Sequence, residues 1–246
     1  MNTNENERSV ASNLKQNNLI VDDRFLVGKS IFLRPPNIDE DILNGNWHSW
    51  FNDVDITKYL THGVYPVRRE DQAKFIAEVI KSPTTLLLCV ISKETNKHLG
   101  VISLKNIDLI NRVAEINIVM GKNRISGSPA LEAMALLTKH AFDRFNLEML
   151  YSGQHESLWK WLNTLSLIGF RIDGYRKNSG IRDRAPYGIF LTSVSAEDFY
   201  FLQVQRGGDV LGSSTVDLVK NRLRTNPKAL FQRAIDELNS EWSNKS

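Results

Sequence analysis

The sequence predicts a mixed α/β domain, a sheet with helices packed on it, followed by a helical C-terminal extension. Three observations carry this. Residues 85–92, 98–108 and 113–120 are runs rich in β-branched and large apolar side chains, which suit a pleated, half-buried surface. Directly after the third run, a loop of small and polar residues at 122–128 opens a long helix-forming stretch at 129–145. A further strand, helix, strand, strand series then occupies residues 147–192.

The elements follow in order. Residues 1–23 are rich in Asn, Ser and charge, so they are expected to be disordered or loosely packed. A short strand at 30–34 stops at Pro35-Pro36, because proline cannot donate to a ladder. Asn37 or Asp39 can cap a helix over 38–46. Trp47, Trp50 and Phe51 precede a helical or turn segment at 53–60. Within 68–81, Phe75, Ile76, Val79 and Ile80 recur at helical spacing, and Pro83 ends that helix. Residues 85–92 are apolar throughout, as in a central strand buried on both faces. After a turn at 93–97, residues 98–108 form its antiparallel partner, with a bulge expected at Gly100. Beyond the strand at 113–120 and the helix at 129–145 come a strand at 147–153, a helix at 157–168 and strands near 170–177 and 186–192. The domain is assigned residues 24–194 and the extension 195–246.

In the extension, residues 196–204 read as helix. Arg206-Gly207-Gly208 and Gly212-Ser213-Ser214 break the chain. Asn226-Pro227 starts a last helix with Leu230, Phe231, Ala234, Ile235, Leu238 and Trp242 on one stripe. Arg233, Asp236, Glu237 and Glu241 fall mainly outside it. Water-exposed apolar surface costs about 25 cal/mol per Å², so the stripe is expected to pack on its own domain. A homodimer through other surfaces is left open.

Composition sets the class. The chain has 246 residues, 41% hydrophobic and 24% charged, enough for one domain with an appendage. A net charge of +3 with no long basic run gives no nucleic-acid signature and mildly favours an anionic ligand. The single cysteine, Cys89, lies in an apolar run, which excludes an intramolecular disulfide and a cysteine metal cluster. No apolar stretch reaches transmembrane length, and the polar start lacks a signal-peptide core. A cytoplasmic location with no membrane partner is expected, and no metal.

The loop at 122–128 is the first candidate site. A strand, a small-residue loop and a helix N-terminus leave backbone N–H groups pointing at one place, which suits an anion. Pro129 fits the first helical turn, where its missing N–H has no intrahelical partner. Arg124 adds a positive charge. The alternative is an ordinary β-loop-α connection.

The order of the surrounding motifs narrows this. Ala130-Leu131-Glu132-Ala133, then Leu136-Leu137 and Ala141-Phe142, follow the loop. Downstream stands Ile168-Gly169-Phe170; upstream stand Trp50-Phe51-Asn52-Asp53 and Tyr59-Leu60. Over residues 29–192 this resembles the GNAT (GCN5-related N-acetyltransferase) superfamily. Within it, the pattern is similar to the branch of ribosomal-protein Nα-acetyltransferases and sugar-locus acetyltransferases. The resemblance implies a mixed, mostly antiparallel central sheet flanked by helices. It also implies acetyl-CoA as co-substrate and transfer of acetyl to a primary amine, first a nucleotide-linked amino sugar. Acetylation of a protein N-terminus is the alternative reaction. A degenerate scaffold that binds without turnover is the alternative class.

By the same resemblance, the strand 115–120 splays from the strand 147–154 and the gap takes the pantetheine arm. A backbone N–H near Val119 or Met120 then faces the thioester carbonyl. Arg124, Ile125, Ser126, Gly127 and Ser128, with the amide of Ala130, take the pyrophosphate. Three departures stand out. In the ungapped register Ser126 and Ser128 occupy positions where the branch usually has glycine; a one-residue slip instead aligns Arg124 and Gly127 with its R/Q-x-x-G and leaves Pro129 at the next small position. Leu158 and Trp161 replace its N-x-x-S signature. Leu165 replaces the tyrosine that protonates the leaving thiolate. Candidate proton carriers are therefore His155, whose ordinary pKa suits either step, Glu115 and Tyr65. Trp50, Asn52, Tyr59, His62 and Asn117 are expected at the acceptor, with Trp47 in the core.

Overall fold

The computed structural model describes residues 23–60, 63–121 and 128–243. The expected loose N-terminus lies outside these apart from Asp23, as do His62, Arg124, Ile125, Ser126 and Gly127.

Eight strands form one sheet: β1 (Leu26–Val27), β2 (Ile31–Arg34), β3 (Leu86–Ser92), β4 (His98–Asp108), β5 (Val113–Met120), β6 (Met149–His155), β7 (Arg171–Arg182) and β8 (Ala185–Ser195). Their order is β1-β2-β3-β4-β5-β6-β8-β7. Every neighbouring pair is antiparallel except β5 and β6. The helices are α1 (Trp47–Trp50), α2 (Val54–Thr57), α3 (Arg69–Val79), α4 (Ser128–Phe145), α5 (Trp159–Leu165), α6 (Ala196–Gln205), α7 (Thr215–Lys220) and α8 (Lys228–Ser243).

Alternation along the strands makes two cores. Leu88 and Val90 of β3 join Ile102, Leu104 and Ile116 beneath Leu131, Met134 and Leu137 of α4. Cys89 and Ile91 face the other way, with Val101, against Trp47, Trp50, Ile56 and Ile76. A strand buried on both faces has no polar side to show, which is why residues 85–92 read apolar throughout. The bulge falls beside Gly100: Val90 pairs with Gly100 and Ile91 with His98, leaving Leu99 as the extra residue.

The helix expected at 38–46 is a single π-helical turn, Ile38–Leu43, capped by Asn37. Asn44, Gly45 and Asn46 are weak helix formers, and Asp41 turns inward. Its two carboxylate oxygens accept from the Arg34 guanidinium, both at 2.7 Å, and one also accepts from Asn37 N–H at 2.8 Å. A buried ion pair survives only with its lone pairs satisfied, and this one is. Cys89 and His98 adjoin Asp41 at a spacing that could hold a cation. The Arg34 pair already neutralises the carboxylate, and burial beside Asp41 pushes the thiol pKa up, keeping it protonated.

The extension begins as part of the core. The Ser195 hydroxyl caps α6 by accepting from Asp198 N–H, and Phe199, Val210, Leu211 and Val219 join the α4 face. Helix α8 is different. Phe231 packs near Phe190 and Tyr175, while Leu230, Leu238 and Trp242 stay 62%, 66% and 81% exposed. The stripe expected to bury itself on the domain does so only along its Phe231 and Ile235 edge. The helix touches the domain at β7, and Leu230 and Leu238 lie about a quarter turn round its surface from Phe231 and Ile235.

Candidate active site

Strands β5 and β6 pair at Val113↔Met149, Ala114↔Leu150 and Glu115↔Tyr151, and then part. What remains of β5 is held on the other side by β4. The hydrogen bond from Gly121 N–H to Leu99 O, 2.8 Å, sets the phase of that ladder. Hydrogen-bonded and open pairs alternate along an antiparallel ladder. Val119 and Asn117 therefore turn their amides to β4. Ile118 and Met120, opposite Ile102 and Gly100, turn theirs into the gap, where no strand meets them. Of the two residues expected at the thioester carbonyl, Met120 presents the available amide.

Beyond the split, β6 leans entirely on β8. Ser152 and Gln154 are buried and linked to Thr192: its hydroxyl donates to Gln154 Oε1 at 3.1 Å and lies 3.0 Å from Ser152 Oγ. This satisfied polar network fixes the strand that forms one lip of the gap.

A cleft of about 360 Å³ passes through the sheet at the split. On one face Met134, Leu158, Trp161 and Leu165 line it. On the other stand Lys105, Glu115 and Asn117, with Lys58, Tyr59, Leu60, Arg182 and Tyr187. Side chains two apart on a strand share a face, and Val119 packs with the Trp47 core while Ile116 belongs to the α4 core. Glu115 and Asn117 thus share the face away from α4. Asn106 Nδ2 donates to Glu115 at 3.3 Å.

His155 ends β6 between two tyrosines. Its ring lies 4.6 Å from that of Tyr187, nearly parallel, and 5.0 Å from that of Tyr59. Its Nδ1 accepts from Ser157 N–H at 3.1 Å. That bond assigns the neutral ring the tautomer with hydrogen on Nε2. Burial pushes the pKa below the ordinary histidine value, Glu156 opposes this, and Arg182 and Lys228 add to it. With Nδ1 engaged by Ser157, the Nε2–H is the group the ring turns to the cleft. The Arg182 guanidinium donates to Thr57 O at 2.7 Å and Leu60 O at 2.5 Å, tying the β7–β8 hairpin to the segment bearing Tyr59.

Other expected residues lie elsewhere. Tyr65 is 81% exposed and does not line the cleft. Asn52 clamps the chain instead: its side chain accepts from Val67 N–H at 2.7 Å and donates to Val67 O at 2.8 Å. Trp50 is buried in the second core and borders a separate cavity of about 850 Å³. A Cβ on Gly121 would lie 2.6 Å from its ring, so only glycine lets the chain leave β5 there. Tyr59 and Asn117 do line the through-sheet cleft, and Ser128 and Ala130 are buried at the start of α4.

One residue was missed altogether. Glu132, 1% exposed, accepts from Lys29 N–H, from Ser30 N–H at 2.9 Å and from the Ser30 hydroxyl. It pins the first turns of α4 to the β1–β2 turn. A Cβ on Gly28 would meet its carboxylate, so a larger residue there would push the Glu132 side chain aside. The signal was the one charged side chain among residues 128–138 of the helix.

A mostly antiparallel sheet that opens beyond its one parallel pair, with helices on both faces, is a mixed α/β fold. A model of the family described as Acetyltransferase (GNAT) domain matches residues 30–171, more than half of the chain. The chain belongs to this GNAT acetyltransferase family. No curated protein matches it. Its fold is similar to that of spermidine N-acetyltransferase from Vibrio cholerae, solved with CoA and spermine. The TM-score is 0.64 and the identity 16%, over 70% of this chain and 99% of that one. It is likewise similar to the microcin C7 self immunity acetyltransferase MccE, solved with acetyl-CoA and AMP (TM-score 0.61, 19% identity, 71% and 97% covered). A GCN5-related N-acetyltransferase from Brucella melitensis gives a TM-score of 0.61 at 21% identity, over 74% and 83%. Among the described residues, no helix is long and apolar enough to cross a membrane.

Proposed function

We propose that this protein transfers the acetyl group of acetyl-CoA to a primary amine on an acceptor that carries negative charge, first of all a nucleotide-linked amino sugar. The observation that carries the reading is the through-sheet cleft at the β5–β6 split. Donor and acceptor can enter it from opposite faces and meet where β5 turns its free amides into the gap. A thioester is already activated, so the protein has to hold it, present a neutral amine and stabilise the oxyanion. The Met120 N–H is the oxyanion donor. Glu115, on the acceptor face, takes the proton from the incoming ammonium through water, and the His155 Nε2–H orients the acceptor. The N-terminus of α4, with Ser128 and Ala130, faces the pyrophosphate, helped by Arg124, Ile125, Ser126 and Gly127. The acceptor face supports the acceptor class: with Lys58 paired to Asp55, Lys105 and Arg182 outnumber Glu115, which suits phosphate over a polycation. Tyr59 and Tyr187 offer stacking surface for a base or sugar. A cytoplasmic setting goes with this reading.

One observation favours a second reading. Buried Leu165 lines the cleft where the resemblance puts the thiolate's acid, as in a scaffold that binds without turnover. The test is release of CoA thiol with a UDP-amino sugar, a free hexosamine, spermidine and a peptide N-terminus. Buried Cys89 keeps the background of a thiol reagent low. Turnover fastest with the nucleotide sugar is expected. Thermal stabilisation by acetyl-CoA with no thiol release from any amine would establish the scaffold. Turnover fastest with spermidine would overturn the acceptor class.

A further inference from the structure

We infer that the exposed stripe of α8 is the contact surface for a second copy of this chain, joined by an antiparallel pairing of the two α8 helices about a two-fold axis at Ala234. Leu230 and Leu238, 62% and 66% exposed, stand four residues either side of Ala234, which is itself exposed. An antiparallel copy centred on Ala234 lays Leu230 against Leu238 twice, and alanine at the centre lets the backbones approach. At about 100° per residue the stripe lies roughly a quarter of a turn from Phe231 and Ile235, the edge that grips the domain. It therefore points sideways, and the second copy does not meet the sheet.

The charges on the outer flank decide which partner fits. Arg233 and Glu237 are both exposed, and neither makes an ion pair among the described residues. A two-fold axis across the helices keeps the same flank on the same side in both copies. The pairing then sets Arg233 of each copy about 3 Å along the axis from Glu237 of the other, from a rise of about 1.5 Å per residue. The patch is complementary to itself, apolar in the middle and opposite in charge at the rim. A partner of uniform charge would leave one of the two unmatched.

One helix pair covers less than the roughly 1,600 Å² of a standard interface, so the association depends on concentration. Sedimentation of the full chain across a concentration series tests it. Each of Arg233→Glu and Glu237→Arg sets like charges together twice and is expected to weaken the dimer roughly tenfold, about 1.4 kcal/mol. The double variant restores the pairs and should recover wild-type association. Leu230→Glu should abolish it, with the circular dichroism spectrum unchanged. The inference is overturned by a wild-type chain that stays monomeric throughout. It is equally overturned by a dimer that the single variants leave intact, or that the double variant fails to rescue.

Discussion

Removing the carboxylate of Glu132 should loosen α4 from the turn that holds it, and the damage should reach the donor side of the cleft. Glu132→Ala leaves the Lys29 and Ser30 amides without their acceptor, while Ser30 Oγ can turn elsewhere. A stranded donor costs about 1–3 kcal/mol, so the loss is expected at about 2–6 kcal/mol for the two. Glu132→Gln keeps one carbonyl oxygen for those amides and loses only the charge, at about 1 kcal/mol. Urea unfolding with linear extrapolation measures both. The N-terminus of α4 stands one turn before Glu132, so the alanine variant should also raise KM for acetyl-CoA more than it lowers kcat. An alanine variant within 0.5 kcal/mol of wild type, well below the cost of one stranded donor, would show that water serves those amides and that the carboxylate does not hold the helix.

Three further outcomes follow from named groups. Glu115→Gln should lower kcat by roughly 10²- to 10⁴-fold with unchanged acetyl-CoA affinity; near-normal turnover would leave the proton to solvent. His155→Ala should lower kcat/KM only about two- to tenfold, the worth of one hydrogen bond, without altering the pH profile. A larger loss together with a lost limb of that profile would make the ring a proton carrier after all. Burial pushes His98, which faces Asp41 and Arg34, down to about 4 from its ordinary 6.5. The unfolded chain therefore takes up a proton first as the pH falls. Stability should drop by about 3 kcal/mol as pH falls from about 6.5 towards 4, and His98→Gln should flatten that dependence of Tm on pH.

The inner strands and α4 were legible because their apolar periods are long and their ends well marked. The strands at 98–108 and 113–120 fall where the sequence puts them, and α4 starts one residue early, at Ser128. The hairpin was not. Strand β7 runs to Arg182, well beyond 177, and β8 starts at Ala185 and runs on to Ser195, past 192. Lys177, Asn178, Ser179 and Gly180 carry no alternation, and the pairing slips between Arg176 and Gly180. Asp183 and Arg184 turn the chain with φ of 50° and 64°, where asparagine or glycine would have signalled the bend. Arg182 and Tyr187 were invisible for that reason. The splay itself has no local signature: nothing within β5 or β6 says where two strands whose paired residues lie 36 positions apart will separate. It came from resemblance, and so did the expectation at Asn52, whose amide proves to serve the backbone of Val67.

The cleft's passage through the sheet also divides the protein's freedom to change. The wall on the α4 side is made of side chains that are core at the same time, such as Met134 and Leu165. A substitution there disturbs packing, so this half, the donor side under the proposed function, is stiff in sequence space. The opposite wall is assembled from the segment around Tyr59 and from the β7–β8 hairpin, joined chiefly by the Arg182 hydrogen bonds to two carbonyls. Backbone carbonyls do not depend on which residues bear them. New side chains can therefore appear at Lys58, Tyr59 or Tyr187 while the clasp stays closed. A chain built this way can exchange one acceptor for another without relearning how to hold its donor.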